Sequence, residues 1–183
     1  ALGISDSPDK GAKADCMIVL EGNQGVGKST VTELIGGQYY RLTQDDFGNK
    51  DLLQGLRGAM IVELGELNAI SKSDVKAIKS TLSSRNDYFR PSYGRCHVNA
   101  KRRCIFIGTT NEDEYLRDAT GGRRFFPVKV NSGPVKIDRK HIIDFMALHR
   151  DQLFAEAFHR ARKGDEAWWN VRDAEEQQEL RRQ

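Results

Sequence analysis

Gly22-Asn23-Gln24-Gly25-Val26-Gly27-Lys28-Ser29-Thr30 follows the apolar run Cys16-Met17-Ile18-Val19-Leu20 and precedes a helix-compatible stretch, Thr30 to Ile35. The G-x-x-x-x-G-K-S pattern carries meaning only in this strand–loop–helix setting. Its glycines allow a tight backbone path. Successive N–H groups along it then point at phosphates, at the positive end of the following helix. In this reading Gly22, Asn23, Gln24, Gly25, Val26 and Gly27 cradle a nucleotide, with Thr30 closing the loop. Lys28 reaches the outer phosphates, and the Ser29 hydroxyl holds Mg²⁺. The loop therefore predicts an α/β fold in which the ligand sits at the carboxyl ends of parallel strands.

The 183 residues suit one domain with a sizeable core. Basic and acidic side chains nearly balance, 29 against 26, so net charge says little about partners. Their distribution says more. Between Lys72 and Arg103 nine basic side chains face only two acids, Asp74 and Asp87. Such a block is either a solvated face or the electrostatic footprint of a nucleic-acid partner. Cys16, Cys96 and Cys104 have no C-x-x-C spacing, and His97, His141, His149 and His159 lack ligand spacing. Neither a disulfide framework nor a zinc site is indicated, which fits a reducing cytosol. No apolar run approaches a membrane span, and the polar start is not a signal peptide. The missing initiator Met and the low-complexity opening, Ser5 to Lys13, predict a piece of a longer protein.

Residues 1–15 read as a flexible lead-in, 16–131 as the core and 132–183 as a helical C-terminal extension. Strands are expected at Met17–Glu21, Gln38–Leu42, Ala59–Leu64, Arg103–Gly108 and Phe125–Val130. Asn49 or Asp51 caps a short helix that Gly58 ends, and Ser71 or Ser73 caps one running to about Leu82. Ser83–Lys101 is irregular around Pro91 and Gly94, with a β-hairpin as its natural form. A helix from Asp138 to about Lys163 carries Ile142, Phe145, Leu148, Leu153, Ala157 and Phe158 as its apolar stripe. Trp168-Trp169 and a charged last helix close the chain. Five strands between helices give a layered domain around a mainly parallel five-stranded sheet.

Nucleotide hydrolysis needs a carboxylate near the metal, a group orienting the attacking water, and positive charge for the transition state. Ile61-Val62-Glu63-Leu64-Gly65-Glu66 supplies two carboxylates at the end of an apolar strand. Glu63 would act on Mg²⁺, and either acid would polarise water. Asn111, after Thr109-Thr110, stands where a sensor side chain reaches between carboxylate and terminal phosphate. Arg123 and Arg124, on the Gly121-Gly122 turn, have the form of an arginine finger. Lys79 to Arg95 mixes bases with aromatics, as single-stranded nucleic-acid sites do. Lys79, Arg90 and Arg95, with Lys101, Arg102 and Arg103, are the candidate DNA contacts.

Taken in order, Val19–Ser29, Ile61–Leu67, Asp87–Arg95, Phe106–Asp118, Gly122–Val128, Asp151–Ala157 and Trp168-Trp169 resemble the virulence-associated protein E family. Members look like superfamily 3 helicases, AAA+-related P-loop NTPases that assemble as rings, typically hexamers. The resemblance implies an ATP- and Mg²⁺-dependent motor on DNA, with a single strand in the pore. It would act at the replication origin of a phage or other mobile element, in the bacterial host cytoplasm, often beside or fused to a primase. It makes Arg123 or Arg124 a finger acting across a subunit boundary, and Lys79–Arg95 the approach to a pore hairpin. Superfamily 3 members usually carry adjacent acids in the second motif. Here Leu64 and Gly65 intervene, so the division of labour between Glu63 and Glu66 stays open.

Two other classes compete with a DNA-translocating ring ATPase. A small P-loop kinase would need an acceptor pocket and an Arg-rich lid, and neither is evident. A nucleotide-gated assembly module would share the same ATP site without unwinding DNA.

Overall fold

The computed structural model describes residues 14–43, 49–67, 72–111, 124–130 and 138–163. In chain order its elements are β1 (Met17–Glu21), α1 (Lys28–Gly36), a 3₁₀ turn (Gly37–Tyr39), β2 (Tyr40–Thr43), α2 (Lys50–Gly55), β3 (Ile61–Leu64), α3 (Lys72–Ser83), β4 (Asn86–Phe89), β5 (Val98–Lys101), β6 (Ile105–Thr110), β7 (Phe125–Lys129) and α4 (Arg139–Lys163). Five strands form one sheet in the order β2-β3-β6-β1-β7, every pairing parallel. Burial on both faces requires apolar strands, and Met17, Val19, Val62, Leu64, Phe106 and Phe125 all lie in the core. From α3, Val75, Ile78 and Leu82 join them, the face that their spacing predicts.

The order places β6 between β1 and β3, although β6 comes last of the three in the chain. The carboxyl end of β6 therefore stands between those of β1 and β3. Ile107 pairs with Ile18 on one side and Glu63 on the other. The strand itself runs two residues beyond the predicted Gly108, so Thr109 and Thr110 are part of it. Asn111 is the first residue past its end.

The irregular region is an antiparallel hairpin, β4 against β5, separate from the main sheet. Asn49 caps α2, its side-chain oxygen accepting from the Asp51 N–H at 3.1 Å. Asp138 does the same for α4, accepting from His141 N at 2.7 Å.

One expectation about α4 needs correction. Of the predicted stripe, Phe145, Leu148, Leu153 and Phe158 are exposed, Leu148 at 79 %. The buried residue is Met146, and α4 meets the body through Ile142, Met146, Arg150 and Phe154. This four-residue spacing makes one row along a helix. Arg150 interrupts it chemically but not physically. Its guanidinium lies over the Phe154 ring at 5.0 Å and donates to the Leu34 and Ile35 carbonyls at 3.0–3.1 Å. Those are terminal carbonyls of α1, which a cation suits. Ile142, eight residues earlier, reaches Gly27 at the other end of α1. The two helices therefore lie side by side and parallel.

Candidate functional site

A cleft of about 330 Å³ opens at the carboxyl ends of β1, β3 and β6, lined by the glycine loop, Glu63, Glu66, Thr109, Thr110, Asn111 and Arg139. Gly27 shapes its floor: φ is +92°, and an added Cβ would lie 2.7 Å from Ile142 Cδ1. It is the left-handed backbone that favours glycine here, since the Ile142 methyl is a side-chain tip that can shift.

Lys28 is buried, and its ammonium donates to the Gly22 and Asn23 carbonyls (2.6 and 2.9 Å) and to Asn111 Oδ1 (2.9 Å). Burial pulls its pKa below the usual lysine value, and the nearby Glu63 carboxylate opposes that shift. Glu63 is completely buried. Its Oε1 accepts from Ser29 Oγ at 2.6 Å and Thr109 Oγ1 at 3.1 Å, and its Oε2 accepts from the Tyr40 hydroxyl at 2.8 Å. Burial first, then that bond to Glu63, raises the Tyr40 phenol above its ordinary value. A buried carboxylate requires donors of this kind. Lys28, Ser29, Glu63 and Asn111, drawn from three separate stretches of sequence, thus gather around one cleft.

Glu66 differs from Glu63. It is exposed at the cleft wall and holds φ +55°, a conformation that non-glycine residues rarely adopt.

Arg123 lies outside the described residues. Arg124 stands just before Phe125, which pairs with Met17 at the start of β1. It is therefore at the amino edge of the sheet, a strand's length from the chain's own cleft, where its Nε donates to Ser83 Oγ at 3.1 Å.

Among the candidate DNA contacts, Arg90, Arg95, Lys101 and Arg103 are exposed on or beside the hairpin, and Lys79 is half-buried on α3. Arg102 is a correction. It is 4 % exposed, ion-paired to Asp87, bonded to the Thr81 carbonyl and set over the Phe106 ring. Its charge is spent inside the fold and does not face a phosphate. Phe89 is likewise buried, leaving Tyr88 and Tyr93 as the exposed aromatics of the hairpin. Tyr88 stacks on His97 with centroids 4.9 Å apart.

Sequence reasoning missed Tyr40, Thr109 and Arg139. Tyr40 and Arg139 carry no motif, and they reach the cleft region only through the fold. Thr109 could have been found, since its hydroxyl lies two residues before Asn111, at the end of the strand that leads to it.

No helix among the described residues is long and apolar enough to cross a membrane. No curated protein matches the chain. Among solved structures, the chain resembles the apo NrS-1 C-terminal region (305–718), with a TM-score of 0.56 at 17 % identity over 75 % of this chain. The A form of the same region gives 0.54, again at 17 % identity and 75 % coverage. The match takes in 36 % and 34 % of those chains, so this chain spans about a third of their length. At such identity the likeness is one of fold. A family model described as the virulence-associated protein E-like domain matches residues 4–183.

Proposed function

The chain belongs to the virulence-associated protein E-like domain family, and we propose that it is a P-loop ATPase of the AAA+/superfamily 3 helicase type. In this reading it works as a DNA-translocating ring in the replication of a phage or mobile element. The observation that carries the reading is the convergence of Lys28, Ser29, Glu63 and Asn111 on one cleft at the strand ends.

The residues suit a Mg²⁺–ATP substrate. The Ser29 and Thr109 hydroxyls meet at one oxygen of the fully buried Glu63 carboxylate beside the cleft, an oxygen-rich donor set of the kind a hard cation needs. Ser29 Oγ and Glu63 would hold Mg²⁺, which when bound neutralises charge on the outer phosphates. Lys28 exchanges its loop carbonyls for phosphate oxygens. Asn111, released from Lys28, offers its amide N–H₂ to the terminal phosphate. Both oxygens of Glu63 are already occupied by three hydroxyl donors, which favours the exposed Glu66 as the acceptor of the water proton.

Arg124 lies too far from the chain's own cleft to serve it, which supports a finger role for Arg123 or Arg124 in a neighbour's site. The exposed Phe145, Leu148 and Phe158 supply apolar surface for self-association. Arg90, Arg95, Lys101 and Arg103 beside Tyr88 and Tyr93 have the mixture that holds a single strand by charge and stacking.

The test is ATP hydrolysis by the purified chain over a wide protein concentration range, with and without single-stranded DNA, using Lys28→Ala as control. Steep concentration dependence and DNA stimulation are expected. Slow, DNA-indifferent turnover would favour a nucleotide-gated assembly module, and no Lys28-dependent turnover would sink the ATPase reading.

A further inference from the structure

The two oxygens of Glu63 have different surroundings. The partners of Oε1, Ser29 and Thr109, both line the cleft, whereas the partner of Oε2, Tyr40, does not. Tyr40 opens β2, the edge strand beside β3. A carboxylate on a two-carbon stem can rotate about its terminal bond, and hydroxyls on the cleft side alone would not stop it turning edge-on. The bond at 2.8 Å from outside the cleft fixes that rotation.

The fold makes room for this. Gly36, the last residue of α1, lies against Tyr40, and an added Cβ would come within 2.7 Å of Tyr40 Cβ. The φ of Gly36 is −69°, which any residue adopts, so its backbone does not require glycine. The close approach to Tyr40 does. The loop-bearing helix thus ends in a glycine that seats the residue holding the acid.

We propose that Tyr40 is a positioning residue for the cation site: its phenol holds Glu63 Oε2 so that Oε1 stays aimed at Ser29 and the cleft. The proposal rests on the reading of the cleft as a Mg²⁺–nucleotide site. It assigns Tyr40 no contact with substrate.

The decisive variant is Tyr40→Phe, which keeps the ring and removes only the hydroxyl. Binding of a fluorescent ATP analogue is measured first in EDTA and then across a Mg²⁺ titration, in the full chain. Metal-free affinity should stay within about twofold, because the loop and Lys28 are untouched. The Mg²⁺ concentration for half-maximal enhancement should rise roughly tenfold, the scale of one hydrogen bond to a charged group. Gly36→Ala, which keeps the phenol but crowds its seat, should shift the Mg²⁺ midpoint the same way.

An unchanged Mg²⁺ midpoint in Tyr40→Phe would overturn the proposal while leaving the nucleotide reading intact. Equal losses with and without Mg²⁺ would also overturn it, because they would make Tyr40 a packing residue only. Failure of the wild-type chain to bind nucleotide would instead remove the reading beneath it, and the proposal would fall with that reading.

Discussion

At the scale of single residues, neighbours in sequence have opposite fates. Lys101 and Arg103 are exposed, while Arg102 and Cys104 are buried. Truncating Arg102 leaves Asp87 charged and enclosed, so Arg102→Ala should cost about 3–5 kcal/mol in denaturant unfolding. Arg103→Ala should stay within about 0.5 kcal/mol. The difference was not legible in the sequence. Residues 102–104 lie between β5 and β6, where no strand alternation applies, and Arg102 turns inward only because Asp87 and the Thr81 carbonyl receive its guanidinium. Charge alone groups the three. The thiols divide similarly: burial, reinforced by the Asp87 carboxylate against the Arg102 guanidinium, pushes Cys104 up to about 12. With almost no thiolate at pH 8, Cys104 should resist a thiol reagent in the native chain and react after denaturation. Exposed Cys96 should react in both states, and equal native rates would contradict the buried environment.

At the scale of elements, the strand and helix flanking the glycine loop, the acidic strand and the strand before Asn111 were all readable. Each is an apolar run ending in residues with chemical character. What the sequence hid was mutual support between distant elements. Nothing local in Gly27 announces Ile142, and nothing in Arg150 announces the carbonyls of Leu34 and Ile35. Such contacts join positions over a hundred residues apart and follow no period. The stripe on α4 differs from expectation for a related reason. Counting apolar residues passes over Arg150, whose guanidinium both stacks on Phe154 and caps a helix. Two substitutions check this assignment. Met146→Ala should cost about 2–3 kcal/mol, whereas Leu148→Ala should be nearly neutral. Gly27→Ala forces a side chain into a left-handed backbone and against Ile142. It should destabilise the chain by about 1–2 kcal/mol and lower nucleotide affinity, read by thermal unfolding and ligand titration.

At the scale of the molecule, the cleft lies at the carboxyl ends of the strands, while Arg124 marks the opposite edge of the sheet. If the hairpin is the nucleic-acid face, the logarithm of affinity for single-stranded DNA should fall linearly with the logarithm of salt. Replacing Arg90, Arg95 and Arg103 with Ala should then flatten that slope by roughly two, at about 0.7 per lost phosphate contact. An unaltered slope would move the DNA path elsewhere.

The helix α4 connects the two ends. It begins with Arg139 at the cleft wall and passes Met60, Ile61 and Ile105 at the amino edge, 25 residues in all. At about 1.5 Å per residue that is a rod of roughly 37 Å. It is riveted to both ends of α1, and much of its apolar surface is left bare. A tilt of about 5° at the cleft therefore swings its far tip by roughly 3 Å. The bare surface would travel with any such tilt.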